Sequence, residues 1–182
     1  SPRVVATYRR PPAAARPYIT ALAMDPQQRL FLEAAWAAIE DAGYYPPSLS
    51  GRKVGVYVGA IVNDYAGYLQ DIGYPVSMFH EGTGSSLAGI ANRLSYFLNL
   101  TGPSQAIDTA CCSSLYAVDR AVTDLSSGLC ETAVAGGVSF ACTPGGYQMY
   151  AAMKYLAKDW RCKAFAAGAD GWSKAEIFAA VF

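Results

Sequence analysis

Apolar positions along this chain change period several times, and each change marks an element. Leu30, Ala34, Ala37 and Ala38, extended by Phe31, Ala35, Ile39 and Ala42, carry the spacing of one helical face. Asp25 stands where an N-cap is expected, Pro26 at the first helical position, and Gln28 three residues on completes a capping-box pattern. Asp41-Ala42-Gly43 closes that helix, with Gly43 free to turn left-handed. Residues 53–59, a nearly continuous β-branched and apolar run bounded by glycines, read as a buried parallel strand. A loop-rich region over 61–86 follows, holding Tyr65, Tyr68, Tyr74 and the single histidine, His80. Leu87, Ile90, Leu94 and Phe97 predict a helix over 86–98, and 104–108 a second strand. A helix over 113–127 places Leu115, Val118, Ala121, Val122 and Leu125 on one side and ends at Gly128. A third strand over 132–138, a shorter helix over 146–156 and a final apolar strand over 176–182 complete the order. Buried strands alternating with helices predict an α/β architecture.

Composition narrows the function classes. The 182 residues are 53% hydrophobic and 15% charged, enough for one domain or a large piece of one with a sizeable core. Fourteen basic and fourteen acidic side chains cancel, so no basic footprint for nucleic acid exists. No apolar run reaches transmembrane length. Arg3, Arg9, Arg10 and Arg16 are followed by no apolar stretch of signal-peptide type, and residues 11–17, rich in proline and alanine, read as an extended lead-in. The cysteines, Cys111, Cys112, Cys130, Cys142 and Cys162, are odd in number and show no C-x-x-C spacing. That pattern argues against zinc and for a reduced, cytoplasmic protein.

The chemistry concentrates at Asp108-Thr109-Ala110-Cys111-Cys112-Ser113-Ser114-Leu115, where a short strand runs into a cysteine pair and then a helix. A strand delivers a side chain to a fixed point, and the partial positive charge of a helix N-terminus favours thiolate over thiol. From the residues alone, Cys111 is either a nucleophile or a small buried hydrophobe. Cys130, Cys142 and Cys162 are expected to be buried and inert, and His80 to sit on the surface or line a pocket.

The same segment resembles the active-site signature of β-ketoacyl synthases of modular polyketide synthases. So do Met24-Asp25-Pro26-Gln27-Gln28-Arg29-Leu30, Glu40-Asp41-Ala42-Gly43, Ala91-Asn92-Arg93-Leu94-Ser95-Tyr96 with Gly102-Pro103-Ser104, Ala135-Gly136-Gly137-Val138, and Arg161-Cys162-Lys163-Ala164-Phe165 with Ala169-Asp170-Gly171. Their order and spacing extend the resemblance from Met24 onward. It implies a thiolase-like fold, a mixed sheet with flanking helices, of which this chain covers mainly the N-terminal half. Residues 1–23 would form a flexible lead-in and 24–182 the N-terminal portion of a ketosynthase domain.

The resemblance also implies a function. The residue after Asp-Thr-Ala, Cys111, would accept an acyl chain from the phosphopantetheine thioester of an acyl carrier protein. A malonyl-type extender would then decarboxylate and attack it in a Claisen condensation. No cofactor would bind directly. The expected partners are the acyl carrier protein, the remaining half of the ketosynthase, neighbouring polyketide synthase domains and a second copy in a homodimer. Two histidines and a lysine downstream of the cysteine support decarboxylation in the family. His80 precedes Cys111, which makes a non-elongating acyl-transferring ketosynthase, or an inactive fragment pairing with a partner chain, the alternatives.

Other positions carry lesser expectations. Arg93 is a scaffold residue, Gly136 and Gly137 permit close backbone packing, and Tyr147, Met149, Tyr150 and Met153 are candidates to line an acyl channel or simply to pack. Three stretches depart from the family: the approach to Met24, Cys112 in place of serine, and Lys174-Ala175-Glu176-Ile177-Phe178-Ala179 where Arg-Gly-Glu-Gly-x-Gly is usual.

Overall fold

The computed structural model describes residues 21–74 and 78–182, with side chains described outside 75–81. The lead-in expected over 1–23 therefore falls, up to residue 20, outside the described residues, as does the side-chain placement expected of His80.

Helix α1 (Pro26–Asp41) starts as its sequence dictates: Asp25 Oδ1 accepts the Gln27 backbone N–H at 2.8 Å and Pro26 occupies the first position. The capping box does not form. Gln28 instead turns inward, donating to the carbonyls of Thr83 and Ser86, while the Asp25 N–H goes to the Gly84 carbonyl. A buried amide is better satisfied by carbonyls within its reach than by a return to the helix end. Gly43, at φ 83°, closes the helix as expected.

After a 3₁₀ turn (Pro46–Leu49), strand β1 (Val54–Gly59) is buried along its whole length. The region read as loop contains two short helices, α2 (Tyr65–Asp71) and α3 (Met78–Ser85). Tyr65 and Leu69, one turn apart, are the buried positions of α2, and Tyr65 donates its hydroxyl to the Leu22 carbonyl at 2.6 Å. Glycines inside both helices masked the period, because glycine is a poor helix former held here by packing. Helix α4 (Ala88–Leu98) buries Ile90, Ala91, Leu94 and Leu98, with Leu87 and Phe97 packed at its margin. Strand β2 (Ser104–Ile107), helix α5 (Ser113–Ser126), strand β3 (Thr132–Ser139), helix α6 (Gly145–Ala152) and strand β4 (Ile177–Val181) follow. Helix α6 stops short of the expected 156, where Lys154 at φ 57° breaks the helical path.

The four strands form one mixed sheet in the order β2-β1-β3-β4, the first three parallel and β4 antiparallel to β3. Gly59 pairs with Ile107 on one side and Gly137 on the other, so the C-terminal ends of three parallel strands lie together. In parallel sheets that edge is where ligand chemistry gathers. Helices α1 and α4 cover one face, burying Phe31, Leu32, Ile39, Ile90 and Leu94 against Val54, Val56, Val58 and Val134. Helix α5 covers the other with small side chains, Ala117 and Ala121, over Tyr57, Ala133 and Ala135. The apolar side read for α5 is largely the outward one: Leu115, Val118, Val122 and Leu125 are exposed and only Ala121 of that group is buried.

One polar cluster lies beneath α5. The Tyr57 hydroxyl donates to Asp124 Oδ2 at 2.6 Å, and Arg120 pairs with the same carboxylate at 2.9 Å. Burial, and then the Asp124 carboxylate, hold the Tyr57 phenol above its ordinary pKa. No described helix is long and apolar enough to cross a membrane.

Candidate active site

Five residues separate the end of β2 from the start of α5, and their conformation is heavily determined. Ala110 adopts φ 54°, a left-handed conformation that costs a non-glycine residue about 1–2 kcal/mol. Three side-chain bonds hold it. Asp108 Oδ1 accepts the Ala110 N–H at 3.0 Å. Ser113 Oγ accepts the Thr109 N–H at 2.9 Å and donates to the Ala110 carbonyl at 2.6 Å. The turn throws the next residue, Cys111, outward, where it is exposed, directly before the N-cap Cys112.

Two paired glycines make room for this turn. A Cβ on Gly59 would sit 2.5 Å from the backbone of Ser113 and Ser114, and one on Gly137 would sit 2.8 Å from Ser114 Cβ. Both positions admit only hydrogen, because a Cβ contact below about 3 Å forces backbone to move. The close packing expected of Gly136 and Gly137 is present. The matching demand on Gly59 went unread, since its only sequence signal was its place at a strand end.

Cys111 stands where two cavities meet. One, of about 270 Å³, is walled by the strand ends at Gly59, Ala60, Gly137 and Val138, with Ile177 and Ala179. The other, of about 700 Å³, is lined by Met149, Tyr150, Tyr155 and Trp172, with Asp64 and Lys174 as charged groups. Ile61, Cys111 and Ser139 belong to both. Of the candidate channel residues, Met149 and Tyr150 line the larger cavity. Met153 is exposed outside it, and Tyr147 lies under the Lys174 ammonium. Tyr155 and Trp172 carried no helical or strand period to reveal them. Backbone bonds from Trp172 N to Tyr155 O and from Ala157 N to Trp172 O bring the two loops together, and Trp172 meets Tyr150 edge-on at 5.0 Å.

Cys130 and Cys142 differ from Cys111 in being covered. Burial, with the nearby Asp25 and Asp64 carboxylates, pushes the Cys142 thiol up to about 12, so it is protonated at neutral pH. Asp64 is committed to structure, accepting from Cys142 N at 3.2 Å, Thr143 N at 2.9 Å and Thr143 Oγ1 at 2.8 Å. Asp25 also sits above the usual carboxylate range, through burial that its bonds from Gln27 offset only in part. Cys130 is buried as expected, but Cys162 is exposed, its sulfur accepting the Ser173 N–H at 3.2 Å. Loop backbone fixes Cys162 at the surface where a small hydrophobe was expected inside.

Arg93 donates to the Gln28 side-chain oxygen and to the Thr83 carbonyl at 3.1 Å, tying α4 to α1 and the 83–86 segment, a scaffold role. Ile177 and Phe178, bulky where the resemblance has glycine, sit in regular antiparallel register with Ser139 and Val138 and are accommodated by exposure.

Comparison with known proteins converges on one group. The model of "Beta-ketoacyl synthase, N-terminal domain" matches residues 15–182. The pikromycin polyketide synthase component PikAII of Streptomyces venezuelae is 46% identical over 156 residues, 86% of this chain and 4% of its own length. Polyketide synthase PksN of Bacillus subtilis is 42% identical over 158 residues, 84% of this chain and 3% of its own. Among solved structures, the oxazolomycin ketosynthase domain OzmH KS7 of Streptomyces albus superposes at a TM-score of 0.79 with 39% identity, covering 90% of this chain and 28% of that one. The ketosynthase from module 6 of the Bacillus subtilis 168 bacillaene synthase gives 0.77 and 38%, covering 94% and 28%. The chain thus spans under a third of the ketosynthase structures it matches and a few per cent of the synthases.

Proposed function

This chain belongs to the β-ketoacyl synthase family through its N-terminal domain, and we propose that Cys111 is the acyl acceptor of a polyketide ketosynthase. The observation that carries the reading is the strained, glycine-floored turn that presents one exposed thiol at the junction of two cavities.

On this reading an acyl chain arrives as a thioester on the phosphopantetheine of an acyl carrier protein. The Cys111 sulfur attacks the carbonyl carbon, a tetrahedral oxyanion forms, and the carbon–sulfur bond to pantetheine breaks. The proton lost by the Cys111 thiol ends on the departing pantetheine thiol, so the exchange needs no oxidant or reductant. The 700 Å³ cavity, apolar and aromatic, suits the acyl chain, and the smaller one suits the reacting carbonyl. On the family's pattern the Cys111 backbone N–H would supply one donor to that oxyanion. The second half-reaction, decarboxylation of a malonyl-type extender and attack of its carbanion on the acyl-cysteine, requires the family's histidines and lysine. The exposed outer face of α5 supports the reading that the remaining half of a ketosynthase domain packs on it, with the domain acting as a homodimer among neighbouring polyketide synthase domains.

The test is intact-protein mass after incubation with hexanoyl-N-acetylcysteamine thioester at neutral pH. One acyl adduct that disappears in Cys111→Ala is expected. Equal labelling of that variant, through Cys112 or Cys162, contradicts the assignment.

A further inference from the structure

The larger cavity holds a charge that its walls leave unused. Lys174 Nζ is buried yet has no hydrogen-bond partner among the described residues. It lies over the Tyr147 ring, whose centroid is 4.4 Å away. A ring face attracts a cation but does not satisfy its three N–H donors. Buried donors without acceptors are rare in native proteins, because leaving them unmet forfeits the hydration they had in water. Lys174 lines the same cavity as Met149, Tyr150, Tyr155 and Trp172, and that cavity opens at Cys111. A chain attached to Cys111 and laid along these aromatic walls would meet the ammonium once the lysine side chain turns from the Tyr147 ring into the cavity.

We propose that Lys174 is a specificity-determining residue, selecting acyl chains that carry a hydroxyl or ketone oxygen over fully reduced chains. The charge balance of the cavity favours a neutral oxygen. Asp64 lines the same space and offsets the lysine, so a carboxylate-bearing chain would meet a negative wall as well as a positive one. The rest of the lining is mostly apolar and aromatic, with Ser139 and Thr143 its small hydroxyls, so a reduced chain packs there but leaves the ammonium without an acceptor, whereas an oxygenated chain satisfies it. The asymmetry of such sites is large, because a buried polar group left unpaired penalises the analogue that lacks the oxygen.

This inference rests on the reading of the cavity as the acyl site of Cys111, and the experiment separates the two. Binding of hexanoyl, 3-hydroxyhexanoyl, 5-hydroxyhexanoyl and 5-oxohexanoyl pantetheine thioesters is measured by calorimetry on the full chain carrying Cys111→Ala, so that no acylation intervenes. At least one oxygenated probe is expected to bind about tenfold or more tightly than hexanoyl, the gain of a hydrogen bond to a charged donor. Adding Lys174→Met brings the ratio close to one, while Lys174→Arg keeps it well above one. Equal affinity of every oxygenated probe and hexanoyl overturns the assignment, as does a ratio that survives Lys174→Met. The wild-type ratio needs no second variant, so misfolding of Lys174→Met does not rescue the proposal. A clear oxygen preference with no acylation of the native thiol upholds Lys174 and overturns the nucleophile reading alone.

Discussion

The two faces of the sheet are built on opposite plans. On one, α1 and α4 bury large side chains, Phe31, Leu32, Ile39, Ile90 and Leu94, and the helices stand off the strands by the width of those groups. On the other, α5 buries Ala117 and Ala121 and lies close to the strands, while Leu115, Val118, Val122 and Leu125 point away. The close approach is what the site requires. Only a helix seated this near the strands can begin at the backbone of Gly59 and Gly137 and hold Cys111 over the strand ends. The first face is made for stability and the second for position, and the outward leucines and valines of α5 are the consequence.

Substitutions test that contrast, and the largest effect belongs to the first face. Phe31→Ala removes a fully buried ring and leaves a cavity, lowering the unfolding free energy by about 3–5 kcal/mol in urea denaturation. A loss below about 1 kcal/mol would show that α1 is loosely held. On the second face the damaging change runs the other way. Ala121→Leu overfills the narrow gap and lowers stability by about 1–3 kcal/mol. It also slows acylation of Cys111, because pushing α5 outward moves the turn. Unchanged stability would mean that α5 does not need its close approach.

A smaller effect is expected at the head of α1. Burial holds the Asp25 carboxyl above its unfolded pKa, so the native state keeps a proton that the unfolded chain has released. Stability from this group is therefore fully present below the unfolded value and falls as pH rises through the folded one. Asparagine caps a helix equally well and carries no charge. Asp25→Asn should gain in melting temperature relative to the wild type as pH rises above about 4. A relative gain in the opposite direction contradicts the burial argument. The smallest effect is on the outer face of α5. Val122→Ser changes stability by about 0.5 kcal/mol or less if that face is uncovered in the isolated chain. A loss beyond about 2 kcal/mol would show a second copy or another segment packed on it.

Most elements were legible because their local signals agreed. Asp25, Pro26 and Gly43 bracket α1, and glycines and β-branched residues mark β1 and β3. The misreadings share one cause, tertiary packing that outweighs local pattern. Gln28 abandons its capping box for the carbonyls of Thr83 and Ser86. Helices α2 and α3 form despite Gly67, Gly82 and Gly84. Helix α5 turns its small side inward, which hydrophobicity alone does not reveal, since alanine against a strand and leucine facing out invert the usual stripe. At the site, Cys111 and the glycines of β3 were readable as a motif. Tyr155, Trp172 and the unpartnered Lys174 were not, because loops distant from the turn bring them to it.

The central claim is that the turn singles out one thiol of an adjacent pair. Cys112 is also exposed, but it stands at the N-cap and lines neither of the two cavities that meet at Cys111. The direct measurement is fragment-ion mapping of the acid-quenched acyl adduct within the peptide that contains both cysteines. The account predicts the acyl group on Cys111, with Cys112 carrying none. Acyl label on Cys112, or divided evenly between the two, would contradict it.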